Sequence, residues 1–175
     1  YLAAKYNILI NGIDDENLAL AKDFVDFVNH NYPNKIIEPR FIVESDTMDG
    51  KIDGHFKVVD INNLKAGDKL NYVLDVAPES FSEPSLINIF NNAKTFFVNA
   101  VMGFAPYFND GTIALNNLIN SNAEAVKLYA GGDTLQELKR LLPGVYMKAL
   151  DDPKYYMFTG GGAVLNAIEE NSPFG

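Results

Sequence analysis

At 175 residues the chain is long enough for one domain with a sizeable core, or for one lobe of something larger. A formal net charge of -9 argues against a nucleic-acid surface, which needs Lys and Arg to neutralise phosphates. The most apolar stretch, 96–108, is too short to span a membrane and holds Asn99 and Pro106, so no membrane association is expected. The absence of cysteine removes disulfides and thiolate metal sites, and fits a cytoplasmic protein.

Residues 7–11 (NILIN) read as a short strand running into a turn at Asn11-Gly12. Asp14 or Asp15 is suited to cap the helix that follows. Its apolar stripe is Leu18, Ala21, Val25 and Val28, and it ends near His30, ahead of Asn31-Tyr32-Pro33-Asn34. Residues 35–37 and 41–43 read as one strand interrupted at Pro39, and 45–55, rich in Asp and Gly, as a loop. A strand over 56–61 leads to a turn at 65–68. Beyond this the rhythm becomes regular. Strands are expected at 71–76, 95–98, 125–129 and 154–158. Helices follow them: one capped by Ser82 and running through Phe90, then 113–119, 133–142 and 163–169. Alternating strands and helices with short connections predict an α/β, Rossmann-like three-layer sandwich: a mostly parallel sheet with helices on both faces. The start at Tyr1 rather than Met, and the ending Ser172-Pro173-Phe174-Gly175, carry the expectation of a fragment or trimmed chain.

Ligands of open parallel sheets bind beyond the carboxyl ends of the strands. Four turns there carry the expected chemistry: 77–80, 99–103, 130–134 and 159–162, taken to share one rim of the sheet. Thr159-Gly160-Gly161-Gly162 joins a strand to a helix N-terminus, where unpaired N–H groups and the helix dipole favour an anion. The alternative is a tight turn whose glycines serve packing alone. Asp133 sits behind Gly131-Gly132 at another helix start. Capping is the ordinary role of such an Asp; beside a polyphosphate it would instead hold Mg²⁺, with the Thr134 hydroxyl on the same phosphates. No Walker motif and no dinucleotide fingerprint is present, and the isolated His30 and His55 give no support to a Ser/His/Asp arrangement.

Several motifs together resemble one family, phosphoglycerate kinase, over nearly the whole chain. Tyr1-Leu2-Ala3-Ala4-Lys5 is similar to the end of that family's helix before a connecting loop, and residues 35–43 and 56–61 to two of its strands. Leu74-Asp75-Val76-Ala77-Pro78-Glu79 is similar to its Leu-Asp-x-Gly-Pro-Glu, and Asn99-Ala100-Val101-Met102-Gly103 to its Asn-Gly-Pro-Met-Gly. Ala130-Gly131-Gly132-Asp133-Thr134 resembles Gly-Gly-Gly-Asp-Thr, and Thr159-Gly160-Gly161-Gly162-Ala163 matches as it stands.

The resemblance implies a partial or complete C-terminal nucleotide-binding lobe over 1–175, with the substrate-binding N-terminal lobe absent, a monomer, and MgATP or MgADP as ligand. It assigns metal coordination to Asp133, and phosphate contacts to Thr134, Gly131, Gly132 and Asn99. Gly160, Gly161 and Gly162 would face the transferred phosphoryl group, and Leu74 and Val101 would line the adenine slot. The implied reaction is phosphoryl transfer between ADP and the acyl phosphate of 1,3-bisphosphoglycerate. Departures are visible as well. Val73, Ala77 and Ala100 replace glycines, Val101 replaces a proline, and 104–108 lacks the acidic residue that holds the ribose hydroxyls. These favour an alternative from another class, a non-catalytic relative kept as a binding module; a generic flavodoxin-like phosphate binder is a third reading.

Overall fold

The computed structural model describes residues 1–170; the 172–175 ending lies outside the described residues. The described residues form two compact units: 1–80 with 104–108, and 81–103 with 109–170.

In the first unit, α1 (Leu2–Tyr6) ends at Asn7, whose left-handed φ of 52° turns the chain into the two-residue strand β1 (Leu9–Ile10). Helix α2 (Asp15–Asn31) starts as predicted: Asp14 accepts the Asn17 N–H at 2.7 Å, and Val25, on the expected stripe, is buried. Residues 35–37 form no strand; β2 (Phe41–Ser45) begins only after Pro39, which cannot donate to a ladder. β3 (Phe56–Asp60) follows. β4 (Lys69–Leu70) pairs parallel with β1. β5 (Tyr72–Val76) completes a three-stranded sheet ordered β3-β2-β5.

That sheet departs from the expected parallel pairing, because β2 runs antiparallel to both neighbours. The 45–55 connection holds no helix, so the chain returns as a hairpin rather than a crossover. As the central strand, β2 is covered on both faces, and successive residues point opposite ways. Ile42 joins Ile8, Ile61 and Leu70 in one core cluster; Val43 joins Leu74, Ala77 and Phe108 in the other. Among the charged groups of this unit, Arg40 grips Asp60 through both Nε and Nη2.

Two carboxylates of this unit, Asp14 and Asp60, contribute to its acid sensitivity. The Asn17 backbone N–H, then its side chain, lowers the pKa of Asp14 from its ordinary 3.8, and the hydrogen bond from Arg40 lowers that of Asp60. A folded-state value below the unfolded one means the unfolded chain binds more protons, so stability falls as pH drops. The stabilisation is complete above the ordinary 3.8 and is lost as pH falls through the lowered values. Asp14→Asn, which caps without titrating, is expected to flatten the melting temperature against pH below pH ~4. A variant that follows the wild-type curve refutes the assignment.

In the second unit, the N-cap position of α3 (Pro84–Asn92) is held by Glu83, without a side-chain cap bond, rather than by Ser82: a 3-10 turn at Pro78–Ser82 consumes the serine, and Pro84 takes the first helical position. β6 (Thr95–Val98), β7 (Val126–Ala130) and β8 (Tyr155–Phe158) form a parallel sheet in the order β6-β7-β8. Helices α4 (Asp110–Ser121), α5 (Gly132–Leu141), α6 (Pro143–Asp151) and α7 (Gly161–Glu169) alternate with these strands. The alternation of the α/β expectation is thus realised here. Helix α6 is missing from the sequence reading. Its Leu142-Pro143-Gly144 start looks like a stop, yet proline suits the first turn of a helix, and Leu142 ends α5 while starting α6.

Asn122 fastens the lower end of the sheet. Its Nδ2 donates to the carbonyls of Phe90 and Ala93, while its Oδ1 accepts the N–H groups of Glu124 and Ala125. Buried Lys127 donates to the carbonyls of Asn122 and Ala125 and lies 4.9 Å from the Tyr155 ring centre, and burial lowers its pKa. Among the described residues no helix is long and apolar enough to cross a membrane.

Candidate functional site

In the second unit the strands are paired so that their carboxyl ends finish level, with Val98 opposite Tyr129 and Ala130 opposite Phe158. The residues that follow therefore emerge on one edge: Asn99 after β6, Gly131 after β7, and Thr159-Gly160-Gly161 after β8. Gly131 N–H donates to Phe158 O at 2.9 Å, drawing the second turn against the third. The fourth expected turn, 77–80, does not share this edge. It leaves the antiparallel sheet of the first unit, where Ala77 is fully buried and its N–H donates to Phe41 O.

The glycines of this edge divide into two kinds. Gly131 caps α5 with φ at 102°, a conformation that side chains avoid. A Cβ on Gly161 would lie 2.6 Å from Asn99 Oδ1 and 3.0 Å from Gly131 Cα, so these two turns touch through bare backbone. The glycine at 161 is thus needed for packing, which the sequence left as one of two alternatives. Gly132 and Gly162 differ. A Cβ on either meets nothing within 4 Å, and neither has a positive φ. Nothing among the described residues requires glycine there; a bare backbone lets a ligand approach the first-turn N–H groups closely. Neither α5 nor α7 has a side-chain hydrogen bond at its N-cap.

Asp133 occupies the first turn of α5, exposed, and does not cap it; the cap position belongs to Gly131. Thr134 is buried, its Oγ1 3.4 Å from where a Cβ of Gly131 would lie. Among the described residues no group of three His, Cys, Asp or Glu side chains is placed to hold a metal ion. A single exposed carboxylate still fits Mg²⁺, which takes one or two carboxylates and completes its shell with phosphate oxygens and water. Val101 is partly buried in the β6 turn.

The first unit holds a cavity of ≈ 560 Å³ lined by Tyr1, Ile13, Met48, Tyr72, Val73 and Leu74 among others. Its size is that of a small-molecule pocket. Val73 lines it without filling it. Leu74 shows one side to this cavity while packing with Val43, Ala77 and Phe108. Tyr72, which the sequence reading did not single out, lines it as well. The segment 104–108, expected to lack a ribose-binding carboxylate, instead closes the core of this unit. Phe104 N–H donates to Leu74 O at 2.8 Å, and Phe108 is 1 % exposed within the core.

The second unit is thus a parallel α/β unit with glycine turns at the strand ends and no side-chain hydrogen bond at the N-caps of α5 and α7. A family model described as phosphoglycerate kinase matches residues 1–171. The chain belongs to the phosphoglycerate kinase family. It is 26 % identical over 161 residues to the phosphoglycerate kinase of Limosilactobacillus reuteri, covering 91 % of this chain and 35 % of the relative. Against that of Blochmanniella floridana it is 34 % identical over 99 residues, which is 55 % of this chain and 22 % of the relative. The solved phosphoglycerate kinase of Coxiella burnetii matches the fold with a TM-score of 0.70 at 18 % identity, over 98 % of this chain and 41 % of that one. The chain thus spans well under half the length of these relatives.

Proposed function

We propose that the chain is the nucleotide-binding lobe of a phosphoglycerate kinase, binding MgADP or MgATP. The observation that carries this is the pair Gly132 and Gly162, at two helix starts where no other described residue comes within 4 Å of an added Cβ. In this reading the first-turn N–H groups of α5 and α7, with Asn99 and Thr134, receive the phosphates. Asp133 would hold Mg²⁺ through its carboxylate, and the metal would supply charge neutralisation at the phosphates. By the family resemblance Leu74 and Val101 are the residues assigned to the adenine; within the first unit Leu74 lines an apolar cavity of small-molecule size.

The proposed reaction moves the acyl phosphoryl group of 1,3-bisphosphoglycerate. A β-phosphate oxygen of ADP bonds to the phosphorus, the bond to the acyl oxygen breaks, and 3-phosphoglycerate leaves with its carboxylate. Gly160, Gly161 and Gly162 line the turn whose N–H groups would face that phosphoryl group. Such chemistry needs positioning and charge neutralisation more than covalent participation. Binding of the phosphoglycerate would fall to a separate substrate lobe, so this chain alone is expected to be inactive. A monomer in the cytoplasm is the setting proposed with it. A second reading, a non-catalytic module of the same family, is favoured by one observation: 104–108 serves as a core plug and offers no carboxylate to a ribose.

Calorimetric titration with ADP, with and without Mg²⁺, tests the proposal. Binding is expected to strengthen with Mg²⁺, and Asp133→Ala is expected to remove that gain, about ten-fold in affinity, while leaving metal-free ADP binding in place. Equal losses with and without Mg²⁺ would reduce Asp133 to a structural role. No heat at millimolar ADP from a folded chain leaves the module reading.

A further inference from the structure

Helix α4 carries Thr112, Asn116 and Asn120 four residues apart, so three polar side chains stack along one face. That face is turned away from water: Thr112 and Asn116 are 5 % and 4 % exposed. Each side chain reaches a different part of the sheet. Thr112 Oγ1 accepts the N–H of Met102, in the turn after β6, at 3.0 Å. Asn116 Oδ1 accepts the Tyr129 hydroxyl of β7 at 2.8 Å, and Asn120 Oδ1 accepts the Tyr155 hydroxyl of β8. The ladder is braced along the helix by Asn116 Nδ2 on Thr112 O and Asn120 Nδ2 on Asn116 O, both at 2.8 Å. Tyr129 and Tyr155 stack with ring centres 6.3 Å apart. Burial raises the pKa of both hydroxyls, so they remain donors at neutral pH.

An apolar ladder of the same shape would hold the helix on the sheet as firmly, since a buried hydrogen bond gains little net stability. What the polar ladder adds is register, because each bond is satisfied at only one height of strand against helix. Two of its contacts lie where register matters for an anion. Met102 follows Asn99 by three residues, and Tyr129 precedes Gly131 by two. Asn99 in turn abuts both Gly131 and Gly161.

We infer that Thr112 and the Asn116–Tyr129 pair are positioning residues that set Asn99 and the Gly131 turn at the height the phosphates require. The inference rests on the nucleotide reading above. Thr112→Val keeps the shape and removes the acceptor, so the Met102 N–H must turn elsewhere and carry the 99–103 turn with it. Thr112→Ser restores the oxygen.

The test combines amide hydrogen exchange with MgADP titration of the wild-type chain and three variants. Thr112→Val is expected to exchange its Met102 amide about ten-fold faster and to bind MgADP about ten-fold more weakly, with the amides of β6, β7 and β8 still protected. Thr112→Ser is expected to recover both. Tyr129→Phe removes one oxygen and keeps the ring. It is expected to fold, and to weaken binding several-fold; it carries the test should Thr112→Val not fold. Wild-type affinity in Tyr129→Phe or in folded Thr112→Val, or a Ser variant as weak as the Val one, overturns the inference. A wild-type chain that takes up no ADP overturns the nucleotide reading itself, and the inference falls with it; a wild-type chain that binds, with variants that bind equally, overturns the inference alone.

Discussion

Phe108→Ala is expected to destabilise the first unit by about 3–5 kcal/mol, read as a fall in its urea midpoint at unchanged slope. The side chain is 1 % exposed and packs with Val43, Leu74 and Ala77, and its ring meets Phe56 edge-on at 6.2 Å and 88°. Truncation removes the transfer energy of the ring and leaves a cavity that β2 and β5 cannot close, because their register is fixed by paired strands. Phe108→Leu retains most of the volume and is expected to cost less than about 1.5 kcal/mol. Leu74, which packs with Phe108 in the core, also lines the ≈ 560 Å³ cavity of this unit. Equal small losses for Ala and Leu would mean that the plug is not part of the cooperative core.

The strands and glycine turns of the second unit were readable because each is local. Residues 95–98 form a strand with the bounds expected from Thr95-Phe96-Phe97-Val98 between polar flanks. The helices of 132–141 and 161–169 begin at glycines, within two residues of their expected starts. The stripe Leu18, Ala21, Val25, Val28 set the inner face of α2, and Asp14 its cap. Failures came where a local signal was outweighed by distant partners. Ile36 and Ile37 have strand-forming side chains, yet no neighbouring strand pairs with them, and propensity without a ladder does not make a strand. The direction of β2 is invisible in its residues. It follows from the helix-free 45–55 connection, which the same sequence displays and which outranks the general βαβ rhythm.

The touching glycines were visible as residues but not as contacts: only the folded sheet brings Gly161 to Gly131 and Asn99 to both. Thr112, Asn116 and Asn120 did leave a trace, as polar residues at one helical face among Ile113, Leu115 and Ile119. Such a face reads as solvent unless burial is known.

Gly161→Ala is expected to lower stability by about 1–3 kcal/mol and to abolish measurable phosphate binding together. The Asn99 amide can move away from the 2.6 Å clash, but doing so removes it from the edge where the phosphates are proposed to sit. The Gly131 Cα at 3.0 Å is backbone and cannot yield without parting β7 from β8, whose turns are joined by Gly131 N–H on Phe158 O. Stability and affinity lost together do not separate packing from ligand contact, so Gly162→Ala is the decisive companion. Its Cβ meets nothing within 4 Å, and its backbone is not in the left-handed region. Alanine there is expected to hold or raise stability by about 0.4–1 kcal/mol, by restricting the unfolded chain. A phosphate drawn to the first-turn N–H groups of α7 would meet the new methyl, so affinity is expected to fall while the melting temperature does not. Gly144→Ala in α6 supplies the control: its Cβ is equally unobstructed, and binding is expected to stay at the wild-type level. If Gly162→Ala also binds as the wild type does, the glycines of this turn serve the fold alone. The anion would then have to be held at the Gly131-Gly132-Asp133 turn without help from α7.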